Sequence, residues 1–230
     1  MIERYDWLLF DADDTLFHFD GTLGLTALFN SFQAVFTADD FSQFQALNKP
    51  LWDQYAQGLV TADEIQIRRF VPLAERFGVP PEQLNEQFIR AMAELSEPLP
   101  GAVELVHALH TRVQLGIITN GFTELQDRRM RRVGFDRHFE LLVISEQVGA
   151  AKPHIDIFEH AFERMQRPPR ERILMVGDNL STDVQGGRNA GIDTCWLNHY
   201  GKQAPVDLQP TFEVDNLHQL HQLLLGTRHG

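Results

Sequence analysis

Cysteine is almost absent. Cys195 stands alone in the chain, so neither an internal disulfide nor a cysteine zinc cluster can form. Basic residues are the minority charge: 20 Lys and Arg face 32 Asp and Glu, a formal net charge of −12. A nucleic-acid polymer or an anionic membrane must be met by clustered Lys and Arg, so neither is expected as the main partner. A small anionic substrate handled through a bound cation stays compatible with that balance. No stretch of about 18 apolar residues occurs, and Met1-Ile2-Glu3-Arg4-Tyr5-Asp6 lacks the apolar core of a signal peptide. The expectation is a soluble, cytoplasmic protein, monomeric or weakly oligomeric. The ten histidines offer no metal-ligand spacing. His107 and His110 are three apart with no third partner, and His218 and His221 read the same way, as solvated. Repeats and low-complexity tracts are absent. What remains is ordinary for a globular chain: 230 residues, 43% apolar and 23% charged. That length can bury a full core without staples, as one domain or one domain plus a sizeable insert.

Short continuous apolar runs mark strands buried on both faces. Trp7-Leu8-Leu9-Phe10 is the first, and it ends abruptly in Asp11-Ala12-Asp13-Asp14. Val113 to Ile118, Leu141 to Ile144, Ile173 to Val176 and Thr194 to Leu197 come next. Between them, Gly101 to Leu109, Thr123 to Val133, Ile155 to Met165 and Asp183 to Ala190 are long enough for helices. Strand and helix alternating over residues 100–200 predict an α/β unit with a parallel sheet.

Residues 20–98 have a different period. Leu25, Leu28, Phe29, Phe32 and Phe36 recur at helical spacing, as do Phe41, Phe44, Leu47 and Leu51. Ile65, Phe70, Leu73 and Phe77 form a third block, and Leu84, Phe88, Met92 and Leu95 a fourth. Breakers at Thr37 to Asp40, Gly58 to Thr61 and Gly78-Val79-Pro80-Pro81 separate them. The pattern predicts four helices, inserted after the first strand of a sheet domain made from both chain ends. Phe17, Phe19, Phe29, Phe32 and Phe36 read as insert core. Arg128, Arg129, Arg131 and Arg132 read as a solvated helix face, and Gly226 to Gly230 as a frayed tail.

Ligands of parallel α/β sheets sit beyond the carboxyl ends of the strands. Asp11, Asp13 and Thr15 come after the first apolar run, Thr119, Asn120 and Gly121 after the second, and Asp178 after the one ending at Gly177. Asp183 lies five residues further on, and Lys152-Pro153 precedes the intervening helix. Each alone has a bland explanation. An Asp after a strand is usually a cap or turn residue, Asn-Gly is a common turn pair, and most lysines are solvated. Together and in this order they suggest one site. Carboxylates packed together repel unless a cation or proton holds them, and oxygen ligands without Cys or clustered His select Mg²⁺ over zinc or copper. A lysine and a threonine beside the ion supply a cation and a donor for phosphate. An Asp can itself be the nucleophile, and a second Asp two residues on can carry the proton. These are the pieces of a phosphatase.

Asp11-Ala12-Asp13-Asp14-Thr15-Leu16 resembles the first motif of the haloacid dehalogenase (HAD) superfamily. Thr119-Asn120-Gly121 resembles its second motif, Lys152-Pro153 its third, and Gly177-Asp178 with Asp183 its fourth. Asp13 favours the phosphatases, because the dehalogenases proper have no acidic residue two positions after the nucleophile. Asn48-Lys49-Pro50-Leu51-Trp52, Gly116 to Phe122, Leu142 to Glu146 and Thr194 to Asn198 are similar to the bacterial pyrimidine 5′-nucleotidases of that superfamily; Asp14 and Asn179 fall at positions where relatives vary. The resemblance implies roles. Asp11 would be nucleophile and Mg²⁺ ligand, and Asp13 the proton carrier, lending its carbonyl to the metal. Thr119 and the Asn120 amide would hold phosphate, with Lys152 balancing its charge. Asp178 would bind Mg²⁺, with Mn²⁺ as substitute, and Asp183 would orient Lys152 or a metal-bound water. The helical insert would be a cap closing over the site.

The expected fold is therefore a Rossmann-like α/β core, residues 1–17 and 99–230, with a four-helix cap at 18–98. The expected function is Mg²⁺-dependent phosphomonoester hydrolysis through an aspartyl-phosphate, with nucleoside 5′-monophosphates, pyrimidines preferred, as implied by the resemblance. A sugar-phosphate phosphatase or phosphomutase of the same superfamily stays open, as does a receiver-type phospho-acceptor module, although the insert of roughly 80 residues favours a catalyst. Phe17, Lys49 and Trp52 are the candidates for discriminating substrates.

Overall fold

A computed structural model of the protein describes residues 1–226. Its elements, in chain order, are β1 (Trp7–Phe10), α1 (Gly21–Ser31), α2 (Ala38–Ala56), α3 (Ala62–Arg68), α4 (Val71–Phe77), α5 (Pro81–Leu95), α6 (Ala102–Leu109), β2 (Gln114–Thr119) and α7 (Thr123–Val133). Next come β3 (Leu141–Ile144), α8 (Ser145–Val148), α9 (Ile155–Arg164), β4 (Ile173–Gly177), α10 (Gln185–Asn189), β5 (Asp193–Leu197), β6 (Phe212–Val214) and α11 (Leu217–Leu225). Two compact units contain them. One takes Met1–His18, Glu97–Gly121 and everything described from Val133 onward; the other takes Phe19–Ser96 with Phe122–Arg132.

The first unit is an α/β unit. Its sheet has the order β3-β2-β1-β4-β5-β6, every neighbouring pair parallel. Leu8, Leu9, Phe10, Leu115, Ile117, Ile118 and Ile173 to Val176 are buried on both faces of it, which is why these strands read as unbroken apolar runs. The register aligns Phe10 with Ile117 and with Val176. The strand order reverses at β1, so Asp11, Thr119 and Asp178 leave their strands at one edge, the usual ligand edge of such sheets. β6 and α11 carry no expectation from the sequence. Phe-Glu-Val is too short an edge strand to show a period.

The second unit is helical, and it holds five helices in 19–96 where four are expected. The third expected block is two helices, α3 and α4, because Pro72 has no N–H to give the Arg68 carbonyl and a continuous helix would lose that bond. Thr37 with Asp40 and Thr61 with Glu64 form capping boxes at the starts of α2 and α3. Phe29 packs on Phe36 and Phe77, and Phe32 stacks on Phe77, with ring centroids 4.5–5.2 Å apart. Phe17 is not part of that core. It is fully buried in the α/β unit, 5.6 Å from the Phe135 ring, while Phe19 is exposed.

Residues 122–132 group with the helical unit, although their place in the sequence is after β2. Phe122 packs 5.1 Å from the Trp52 ring and lies under the Arg69 guanidinium, and Arg132 donates to the Ser96 carbonyl. Arg129 also departs from expectation. It is fully buried, donating from Nε to Gln126 Oε1 at 3.0 Å, so the arginine run is not a solvated face throughout. Arg128 does remain exposed, paired with Glu124. The expected fraying of 226–230 lies, beyond Gly226, outside the described residues. No described helix is long and apolar enough to cross a membrane.

Candidate active site

The α/β unit brings Asp11, Asp13, Thr119, Asn120, Lys152, Asp178 and Asp183 to the carboxyl edge of its sheet. The chain leaves β1 in a tight turn in which Leu16 and Phe17 donate to the Ala12 carbonyl. Asp14 takes a left-handed backbone at φ 53°, a conformation Asp tolerates better than most residues. Asp11 is anchored by its own N–H, which donates to the Val176 carbonyl at 2.8 Å. Thr15 is fully buried beneath Asp178: its hydroxyl accepts from the Asp178 N–H at 3.1 Å and faces the Asp178 carboxylate at 3.4 Å. The Trp196 indole donates to the Asp178 carbonyl at 2.8 Å.

Lys152 is the electrostatic centre. Its ammonium is buried and donates at 2.6 Å both to Asp11 Oδ1 and to Asp183 Oδ1. Burial opposes that charge, yet the attraction of Asp11 and Asp183 outweighs it and lifts the lysine pKa above its ordinary value. Asn120 sets the lysine's backbone. Its carboxamide accepts from the Lys152 N–H at 2.7 Å and donates to the Lys152 carbonyl at 2.9 Å. The Asn120 carboxamide is therefore committed to the Lys152 backbone. Thr119 is buried and its hydroxyl accepts from the Gly121 N–H at 3.1 Å.

Asp183 reaches inward from a π-helical turn, Leu180–Val184, where a plain helix from Asp183 to Ala190 is expected. Such turns recur at functional sites because they re-aim one side chain. Asn179 caps this turn through Ser181 and Thr182, and its N–H donates to Asp183 Oδ2 at 3.0 Å. Gly177 makes the approach possible, since a Cβ there would lie 2.2 Å from Asp183 Oδ2.

One lysine does not neutralise this group. Burial first, offset by Lys152 and reinforced by Asp183 and Asp13, pushes the Asp11 carboxyl up to about 7. Burial, then the charges of Asp11, Asp183 and Asp14, push Asp178 up to about 8. Asp11, Asp178 and Asp183 each present an oxygen within 4.8 Å of the others. Oxygen-only donors carrying surplus negative charge fit a hard dication such as Mg²⁺. Of the three, Asp183 has both oxygens already engaged by Lys152 and the Asn179 N–H, so its geometry suits support more than ligation.

Thr15, expected at this edge without an assigned role, and Asn179 and Trp196, which carry no site expectation, each hold Asp178 or Asp183 in place. Trp196 lies inside a strand run, a position that carries no signal of a role at the edge. Lys49 is exposed, and Trp52 is half-buried against Tyr55 and Phe122 in the helical unit.

A parallel α/β core whose strand ends gather carboxylates around a buried lysine defines a class of hydrolase, and comparison with known proteins agrees. The model of the haloacid dehalogenase-like hydrolases matches residues 5–191. Pyrimidine 5′-nucleotidase YjjG of Escherichia coli is 50% identical over 221 residues, 96% of this chain and 98% of that protein. Pyrimidine 5′-nucleotidase PynA of Streptococcus pneumoniae is 33% identical over 216 residues, 91% of each chain. The crystal structure of the HAD-hydrolase YfnB of Bacillus subtilis, bound to magnesium, matches with a TM-score of 0.84 at 34% identity, covering 96% of this chain and 99% of that one. The chain belongs to the haloacid dehalogenase-like hydrolases, and it is an enzyme.

Proposed function

We propose that this chain, a phosphatase of the haloacid dehalogenase-like hydrolases, hydrolyses nucleoside 5′-monophosphates, pyrimidines preferred, through an aspartyl-phosphate on Asp11. The observation that carries the chemistry is the buried Lys152 bridging Asp11 and Asp183 at 2.6 Å, beside Asp178. The substrate class rests on the nucleotidases of similar sequence.

Asp11, Asp178 and the backbone carbonyl of Asp13 would hold Mg²⁺, with Mn²⁺ able to take its place. When bound, the ion supplies positive charge to the carboxylates and to the phosphoryl oxygens. The chain's own groups do the rest. The Thr119 hydroxyl, the Asn120 N–H and the Lys152 ammonium cradle the phosphate. An Asp11 oxygen attacks phosphorus, the ester P–O bond breaks, and the leaving alkoxide takes the proton of Asp13. Asp13, now a carboxylate, then takes a proton from water as that water attacks phosphorus, and the bond from phosphorus to Asp11 breaks to release inorganic phosphate. Asp183 keeps Lys152 pointed at Asp11. Phe17, sealed in the core, drops out as a reader of the substrate, and Trp52 with Lys49 are kept for that role.

Phosphate release from pyrimidine nucleotides, purine nucleotides and sugar phosphates, with Mg²⁺, tests both parts. A higher kcat/KM on sugar phosphates than on any nucleotide overturns the substrate class. Near-normal turnover by a folded Asp11→Asn variant overturns the nucleophile.

A further inference from the structure

His107 and His110 read as solvated for want of a third partner, and the fold provides one. His107 lies in the last turn of α6, His110 is the residue that ends it, and His138 ends the short turn Phe135–Arg137. α6 leads into β2 and that turn leads into β3. These strands are parallel neighbours, with Gly116 beside Leu141, so the residues preceding both meet at the amino edge of the sheet. Asp11, Thr119 and Asp178 occupy the opposite edge.

The three imidazoles touch. Their ring centroids are 6.3 Å (His107–His110), 5.0 Å (His107–His138) and 4.4 Å (His110–His138) apart. Three imidazoles on a tetrahedral ion, with metal–nitrogen bonds of about 2.0–2.1 Å, place their ring centres about 5 Å apart. His107–His138 and His110–His138 already lie close to that spacing, and His107–His110 is about 1 Å wider than it. The ring nitrogens are not yet turned to one point, since the carboxylate set is the group whose donor atoms already converge, but rotation about χ2 is soft in histidine.

One tautomer is already set. His110 Nδ1 lies 2.9 Å from the His107 carbonyl. A carbonyl only accepts, so Nδ1 donates, which leaves the Nε2 lone pair free. A backbone carbonyl holding the other ring nitrogen is the usual support of a metal-binding histidine. The C-terminal end of α6 also favours a positive charge. Burial, then the fields of His110, His107 and Arg137, lowers the His138 pKa, opposed by Asp136. His138 thus stays in its neutral, ligating form near neutral pH. His107 and His110 are exposed, which leaves a fourth position open to solvent.

We propose that His107, His110 and His138 form a binding site for a borderline transition-metal dication, Zn²⁺ or a first-row neighbour such as Ni²⁺ or Cu²⁺, distinct from the carboxylate cluster. Imidazole nitrogens suit these ions, whereas Mg²⁺ prefers oxygen, so the two sites sort metals by ligand type. Bound there, the ion ties the end of α6 to the turn before β3 and takes no part in the hydrolysis.

The test is calorimetric titration of Zn²⁺ into the protein held in saturating Mg²⁺, with melting temperatures recorded alongside. The wild type is expected to bind one Zn²⁺ and to melt higher with it. His110→Ala and His138→Ala are each expected to weaken binding by about tenfold or more, to lose the rise in melting temperature, and to keep Mg²⁺-dependent turnover. His107→Ala, on an exposed helix surface, serves if His138→Ala does not fold. Affinity is expected to fall as the pH is lowered, because protons compete with the metal for the imidazole nitrogens. Absence of Zn²⁺ binding in the wild type overturns the proposal. So does binding that survives in all three histidine variants and disappears in Asp178→Asn.

Discussion

Asp178→Asn separates what the site costs the fold from what it does for the reaction. Without a cation, Asp11, Asp13, Asp178 and Asp183 gather at one sheet edge, where the buried Lys152 ammonium bonds Asp11 and Asp183. Burial and the neighbouring charges hold the Asp178 carboxyl at about 8 against an ordinary 3.8. A raised carboxyl favours folding below its unfolded pKa, and that contribution is lost as pH climbs from about 4 to about 8, because over that window the folded state binds the extra proton. At about 1.4 kcal/mol per pH unit the ceiling is about 6 kcal/mol. Asp178 is partly open to water, and screening there reduces the expected effect to about 1–3 kcal/mol. Asparagine keeps the Oδ1 that faces Thr15 and carries no charge at any of these pH values. Metal-free Asp178→Asn should therefore melt about 2–12 °C above the wild type near pH 8.5, taking about 2–4 °C per kcal/mol for a chain of this size, and its advantage should shrink towards pH 5. With saturating Mg²⁺ the wild type gains binding free energy that the variant largely forgoes, so the order closes or reverses, while the variant's turnover collapses. The assay is a set of thermal melts in EDTA and in Mg²⁺ across pH. A metal-free variant that melts at or below the wild type at high pH, or whose gain is the same at pH 5, refutes the crowded-carboxylate account.

Asp11→Asn should abolish turnover with the circular dichroism spectrum unchanged, and Asp13→Asn should slow the rate by about 10²–10⁴-fold, since one residue serves both proton transfers; pre-steady-state release of the alcohol measures each half-reaction. Gly177→Ala places a methyl group 2.2 Å from Asp183 Oδ2, so a destabilisation of about 1–3 kcal/mol and a fall in kcat are expected, read by denaturant melts and steady-state kinetics. Asn120→Ala removes both bonds to the Lys152 backbone, at about 1 kcal/mol each, and should raise KM for the phosphate ester by about tenfold; an unchanged KM would show that Lys152 is held without it. Excess EDTA should silence the enzyme and Mg²⁺ should restore it, as monitored by phosphate release.

The strands and the polar residues just past each of them were legible in the chain alone. Continuous apolar runs such as Trp7 to Phe10 and Ile173 to Val176 encode burial on both faces, and in a parallel sheet every residue just past such a run emerges at the same edge. That is why Asp11, Thr119 and Asp178 could be gathered from the chain alone. The helical period of residues 20–98 was equally legible, up to the break at Pro72. Contacts made across long stretches of chain emerge only in the folded molecule. The Asn120 carboxamide serves the Lys152 backbone, Thr15 and Trp196 hold Asp178, and Arg129 is buried. Residues 122–132 pack with helices that precede them by more than a strand, and His138 completes a trio begun at His107. A local pattern reports which face of an element avoids water. Which elements then become neighbours depends on strand order and on side chains meeting over distances that no short window of sequence spans.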